Sequence, residues 1–432
     1  MIQLLLSMKK LLKSFVIHQL NKKVARLLAT HKDLKVVLVT GSVGKSSAKI
    51  AIGQLLQSKY RVNYSEDSYN TDIGLPLGLF GLKVPTRLWN AQAWNKIFRQ
   101  IDKLITDYPF DVVILEVADD ERKMMEPIVA SLYAKVSVIT GVAPVHMERM
   151  GSLNKIVADC WALGSQAEEI IYNADFKQLR DKAKGQTDAD GYGLSYGTLR
   201  FRQIKRQTSG LLKAELKIGN KTKIISTQHI SATGLYSLLA AATVGLELGM
   251  SENEIIAGLE SIKPTNGRMN LLPGDNGVRL VDDSYNSSSE AAKAALETLS
   301  EFKGRKIAVL GSMNELGDFS PEAHTQVGKA AAQVVDLLLV VGKEAERYMI
   351  PAAMQAGLEK SKVKVFKDPY VAGHFLKSQL KAGDVVLVKG SQDGVYVEEV
   401  TRILLSEDIN PHDVLVRQSA VWRRRKKRAF RL

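Results

Sequence analysis

The stretch Val36-Val-Leu-Val-Thr40, followed by Gly41-Ser-Val-Gly44-Lys45-Ser46-Ser47, constrains the fold of this chain more than any other. A β-branched apolar run ends at a glycine, and apolar residues at helical spacing follow over 46–57. Strand, glycine loop and helix in that order aim main-chain N–H groups and the helix dipole at a phosphate chain. Lys45 would neutralise β- and γ-phosphates, and the Ser46 hydroxyl would hold Mg2+. Gly41, Ser42, Val43, Gly44 and Ser47 would complete the cradle of a nucleotide such as ATP. The spacing GxxGKS is two residues shorter than the general phosphate loop, so a chance turn is the competing reading. The strand pattern ahead of the loop weighs against it.

Such a strand needs parallel neighbours, and the chain supplies apolar runs for them at 111–117 and 136–141. A more polar, β-leaning patch over 191–228 includes the alternation of Leu212–Ile218, and an Ala/Leu-rich helix follows over 236–248. The sequence at 264–267 breaks the pattern. A second series then places strands at Arg279–Asp283, Lys306–Gly311, Leu337–Val341 and Val385–Lys389, with helices between them. The expected fold is α/β: a P-loop NTPase-like central domain with a parallel-rich sheet over 35–263, then a smaller Rossmann-like C-terminal domain over 264–408. A basic amphipathic N-terminal helix (1–34) and a basic tail (409–432) flank them.

The net charge of +14 resides at these two ends. Residues 1–34 carry seven lysines and arginines against Asp33, and residues 417–432 carry eight and no acid. The neutral body between them has no field of the kind that attracts nucleic acid. Leu4, Met8, Leu11 and Phe15, then Leu20, Val24 and Leu27, recur at helical spacing among the lysines. Two readings fit: a helix packed on the body, or one lying in a membrane interface with its lysines at anionic lipid. The run 423–428 reads as solvated, or as a second contact with phosphate or lipid. Cys160 is the only cysteine, which excludes an intrachain disulfide and suits a reducing compartment. No apolar run is long enough for a transmembrane helix. A cytoplasmic monomer is expected, with peripheral contact at the inner face of the membrane through 1–28 and 423–428 as the second reading.

The shortened loop TGSVGKSS resembles the TGxxGKT/S of the Mur ligases, and further segments follow in that family's order. Tyr69-Asn-Thr-Asp-Ile-Gly-Leu-Pro76 is similar to its NxxIGxP, and Leu115-Glu116 ends a strand as the family's magnesium-binding glutamate does. Val145-His146-Met-Glu-Arg-Met-Gly-Ser152 resembles VHxExxGS, and Asn173-Ala-Asp175 resembles the NADD turn. Gly267-Arg268-Met269 matches the interdomain GRM, and Asp282-Asp-Ser-Tyr-Asn286 the DDSYNANP loop. Leu310-Gly-Ser-Met-Asn-Glu-Leu-Gly317 with His324 resembles LGDMLELG…H, and Val388-Lys-Gly-Ser391 resembles VKGSR.

The likeness is greatest to the D-alanyl-D-alanine-adding branch. It implies an ATP-dependent ligase that joins a muramyl-peptide carboxylate to an amine through an acyl-phosphate. It implies catalytic roles for Lys45, Glu116 and His146, with metal on Ser46, Glu116 and His146. Arg268, Asp283 and Asn286 would bind nucleotide from the second domain, a hinge near 265–267 would let the domains close, and Asn70, Asn286, Glu315, His324 and Lys389 would contact substrate. Each also has a plainer reading: Glu116 as a strand-end charge, His146 as a loop histidine, Asp283 and Asn286 as turn formers.

Four features depart from the pattern. The family's carbamylated lysine falls at Cys160, which carries no carbamate and reads more simply as a buried residue. The HNxxNxLAA helix start becomes Thr233-Gly-Leu-Tyr-Ser-Leu-Leu-Ala-Ala241, and VKGSR ends in Gln392. Only 40 residues precede Gly41, enough for one or two helices but not for the uridine-binding domain that family members usually carry there. Two alternatives stand beside the leading reading: a ligase of the same fold acting on a lipid-linked or other non-UDP acceptor, and a weakly catalytic ATP-binding scaffold.

Overall fold

The structure is a computed structural model and describes residues 2–65, 71–85, 88–117, 122–143, 152–314 and 316–430. Helix α1 (Ile2–Thr30) leads into strand β1 (Lys35–Thr40) and helix α2 (Lys45–Leu56). Then come β2 (Val62–Tyr64), α3 (Ala91–Thr106), β3 (Val112–Glu116), β4 (Ala134–Ile139), α4 (Leu153–Gly164) and β5 (Ala167–Asn173). Strands β6 (Ala189–Gly193), β7 (Leu199–Arg206), β8 (Leu212–Ile218) and β9 (Lys221–Thr227) complete a nine-stranded sheet of order β2-β3-β1-β4-β5-β6-β7-β8-β9. Pairing is parallel from β2 through β5, and the inner strands β1 and β3 read as near-continuous apolar runs because both of their faces are covered. The phosphate-loop strand β1 lies between β3 and β4, where the strand order reverses. Ligands of such sheets bind off the carboxyl ends of the strands at that reversal.

After helix α5 (Ala232–Glu247), a second sheet is built from β10 (Asn270–Pro273), β11 (Arg279–Asp283), β12 (Lys306–Gly311), β13 (Leu337–Val341), β14 (Val363–Phe366) and β15 (Val385–Lys389). Its order is β10-β11-β15-β12-β13-β14; only the β10–β11 pair is antiparallel. Both sheets accord with the expected α/β class. The chain divides into two compact units: Met1–Gln203, Ala214–Ile225 and Leu235–Ile262 form the first, and Ile204–Lys213, Ser226–Gly234 and Lys263–Leu432 the second.

Helix α1 is docked from its middle onward. Val16, Leu20, Val24 and Leu27 are buried in one cluster with Trp94, Ile97, Ile101 and Ile105 of α3. Lys23 pairs with Asp102 at 2.6 Å, and His31 Nε2 lies 2.8 Å from the Ile105 carbonyl. The buried stripe runs through Val16 rather than through Leu11 and Phe15, which are 69% and 53% exposed. The packed-helix reading therefore describes residues 16–27. No described helix is long and apolar enough to cross a membrane.

Candidate active site

The glycine loop closes on β4. Gly41 and Gly44 have φ of +127° and +84°, and a Cβ at Gly41 would come within 2.5 Å of Thr140 Oγ1. Thr140 donates to the Val43 carbonyl at 2.6 Å, and the Ser42 hydroxyl accepts from the Ala143 N–H at 2.7 Å. The Ser42 and Val43 N–H groups both donate to the Gly141 carbonyl. Gly44 occupies the N-cap of α2 and offers no side-chain oxygen, so the first-turn N–H groups lack the cap that Ser or Asp would give. This geometry suits an anion at the helix start.

Beneath the loop, the Ser46 hydroxyl lies 3.0 and 3.2 Å from the two Glu116 oxygens. The register Val39↔Glu116 explains the meeting, because it sets the end of β3 beside the end of β1. Glu116 is 6% exposed and pairs with Lys49 of α2 at 3.0 Å. Lys45 bends back to donate to the Gly41 carbonyl, placing its ammonium over the loop. A hydroxyl from the first turn of α2 and a carboxylate from the end of β3 converge here as hard oxygen donors. That set fits Mg2+, which takes one or two protein ligands and keeps several waters. His146, Asn70 and Glu315 lie outside the described residues. Among the described residues no cluster of three His, Cys, Asp or Glu could hold a metal.

Cys160 of α4 is fully buried among Ile139, Ile156, Val157 and Trp161, so the position aligned with the carbamylated lysine belongs to the core. Asp175 of the NAD turn accepts from the Leu194, Ser195 and Tyr196 N–H groups and from the Tyr236 hydroxyl. It thereby fixes the turn after β6.

In the second unit the Asp282–Asn286 loop leaves β11 beside β15. Lys389 is buried there, 2.6 Å from Asp283 Oδ2 and 3.0 Å from the Asn286 carbonyl. Asp283 Oδ1 accepts from the Met269 N–H at 3.2 Å, and the Tyr285 N–H donates to the Gly267 carbonyl at 3.1 Å. Arg268 stacks over the Tyr285 ring, 4.2 Å from its centroid. The GRM turn and the DDSYN loop are thus laced together, with Lys389 as a brace between two loop positions. His324 is fully buried: Nε2 accepts from the Met313 N–H at 2.9 Å, so Nδ1 carries the proton toward the Ser320 carbonyl at 2.8 Å. Burial lowers its pKa, in keeping with a neutral ring. With both nitrogens engaged, His324 in this geometry holds the turn after β12 and has no ring nitrogen left for substrate.

Sequence reasoning missed Lys49 and Arg417. Lys49 is the one charged residue among the buried positions of α2, which is the signal that could have found it. Arg417 falls in the basic tail over 409–432, ahead of the run 423–428 that reads as solvated. Its guanidinium is buried, and it donates to the Ser284 and Tyr285 carbonyls at 2.6 and 2.9 Å.

Comparison with known proteins agrees with this geometry. Residues 39–245 match the Mur ligase middle domain, and residues 267–392 match the domain described as Mur ligase, glutamate ligase domain. The UDP-N-acetylmuramoyl-tripeptide–D-alanyl-D-alanine ligase of Bacillus subtilis is 25% identical, over 91% of this chain and 80% of its own. The Escherichia coli enzyme of the same name is also 25% identical, over 86% and 76%. Among solved structures, the MurF ligase of Thermotoga maritima in complex with ADP superposes with a TM-score of 0.72 at 26% identity, covering 90% of this chain and 83% of that one. Folylpolyglutamate synthase of T. maritima shares the fold, with a TM-score of 0.60 at 16% identity over 90% and 94%. The chain belongs to the Mur ligase family of ATP-dependent amide ligases, which release ADP and phosphate.

Proposed function

We propose that this ligase adds D-alanyl-D-alanine to a muramyl-tripeptide-like carboxylate. The observation that carries the ligase chemistry is the meeting of Ser46 and Glu116 under a glycine loop that Thr140 and Ser42 hold in place. The substrates are suggested by relatives of that specificity, which align over 91% and 86% of the chain. In the reaction the acceptor carboxylate oxygen attacks the γ-phosphorus, and the bond from that phosphorus to the ADP oxygen breaks. The amine nitrogen then attacks the acyl carbon and loses a proton, and inorganic phosphate leaves.

Two anions must be brought together, so the site has to screen both. The N–H groups at the start of α2 and Lys45 would bind the phosphates, and Ser46 and Glu116 would hold Mg2+. When bound, Mg2+ supplies positive charge between the triphosphate and the carboxylate. Lys49 holds Glu116 at the end of β3. In the second unit, Arg268, Asp283 and Asn286 are proposed nucleotide contacts, with Lys389 bracing the loop. The roles of His146 in metal binding, and of Asn70 and Glu315 at substrate, rest on the family resemblance.

The test is phosphate release from ATP and Mg2+ with UDP-muramyl-tripeptide and D-alanyl-D-alanine, each omitted in turn, with Lys45→Ala as control. Release that needs both, with a product of the matching mass, supports the proposal. Release with the amine but only with another acceptor would redirect the substrate assignment. No turnover with any acceptor would favour an ATP-binding scaffold.

A further inference from the structure

We infer that Arg417 is a positioning residue for the nucleotide loop, and that the C-terminal segment holds it there. This rests on the proposed role of residues 283–286 at the nucleotide. The observations are all in the second unit. Arg417 has a φ of +55°, an uncommon conformation outside glycine and one that marks a constrained position. Its guanidinium bridges two sides. Toward the loop it donates to the Ser284 and Tyr285 carbonyls; away from it, it forms a two-point contact with Glu398, with both distances 2.8 Å.

Glu398 is fully buried and also pairs with Lys426 at 2.8 Å. Lys426 is 0% exposed and reaches Glu399 at 2.6 Å, and Glu399 in turn accepts from Arg402 at 2.6 Å. Helix α6 (Ala420–Phe430) therefore delivers a lysine into a closed network of two carboxylates and three cations. Lys389 takes the next carbonyl, that of Asn286. Three successive loop carbonyls, at 284, 285 and 286, are thus held by buried cations. That fixes the course of the main chain, and with it the Tyr285 ring on which Arg268 rests. A planar five-donor guanidinium can hold two carbonyls and a carboxylate at once; an ammonium cannot match that geometry.

The experiment compares ADP affinity by calorimetry in the presence of Mg2+ with the melting temperature without nucleotide, on the full chain. The variants are Arg417→Lys, Arg417→Gln with Glu398→Gln, Asn286→Ala, and the exposed Arg424→Ala. The double variant removes the loop contacts while leaving the net charge of the buried network unchanged. Its ADP affinity should fall about tenfold or more, as expected when a binding group is displaced by a fraction of an ångström to an ångström. Arg417→Lys should lie between it and the wild type, with a near-normal melting temperature, and Arg424→Ala should match the wild type. Wild-type ADP affinity in a folded double variant overturns the inference. Should the double variant not fold, wild-type affinity in Arg417→Lys overturns it. Unchanged affinity in Asn286→Ala, by contrast, removes the loop's role at the nucleotide and is a separate failure.

Discussion

Two buried acids show how residues of one type take different roles from their surroundings. Asp282 lies fully buried at the end of β11, with Thr401 donating to Oδ1 at 3.0 Å and with Glu398 and Asp283 nearby. Burial raises its pKa to about 7 from an ordinary 3.8. Between those values the folded chain holds a proton that the unfolded chain has lost. Its contribution to stability is therefore greatest below about pH 4, falls as pH rises toward 7, and is level beyond. Asp282→Asn should flatten that slope and stabilise the protein at pH 8 by on the order of a few kcal/mol; urea titrations at pH 5 and 8 check it. Glu116 is buried as an ion pair with Lys49 instead. Lys49→Met should cost about 3–5 kcal/mol, because it leaves a buried charge uncompensated. The double variant Lys49→Met/Glu116→Gln should cost less than the two single changes added together.

At the scale of elements, helix α1 is a structural part of the first unit. Leu20 and Leu27 are fully buried against α3, so Leu20→Ala should destabilise that unit by about 2–5 kcal/mol. Leu11→Ala, at an exposed position of the same helix, should fall within about 0.5 kcal/mol of the wild type. Chemical denaturation followed by a probe in the first unit separates the two cases. Sequence periodicity correctly marked Leu20, Val24 and Leu27, because positions four and three apart share a helix face. It also grouped Leu11 with Phe15, since that pair obeys the same spacing on a neighbouring face. Which face is buried depends on where α3 lies, and spacing does not specify that.

For the whole molecule, the charge of +14 sits at the two ends, and part of it is taken up in ion pairs. Lys23 is tied to Asp102, and Arg417 and Lys426 are buried in ion pairs. Lys10, Leu11 and Phe15 remain exposed at one end, and Arg423, Arg424, Lys427 and Arg428 at the other. If these surfaces meet anionic lipid, binding to phosphatidylserine vesicles should weaken steeply as salt rises from about 10 to 150 mM, where the screening length drops severalfold. Leu11→Ser with Phe15→Ser should reduce it further. Absence of binding at low salt would end the membrane reading.

The sequence by itself determined the α/β class, the strand–loop–helix that carries Lys45 and Ser46, and the order of the family's segments. Each of these is local: a parallel strand buried on both faces must be apolar throughout, and a tight phosphate loop needs glycine where φ is positive. Only the tertiary structure decided that Lys49 neutralises Glu116, that His324 and Lys389 are braces within the chain, and that Arg417 and Lys426 are interior residues. Their partners come from other elements. A lysine in a basic run reads the same whether water or a buried carboxylate surrounds it, and sheet register and helix docking settle which of the two it meets.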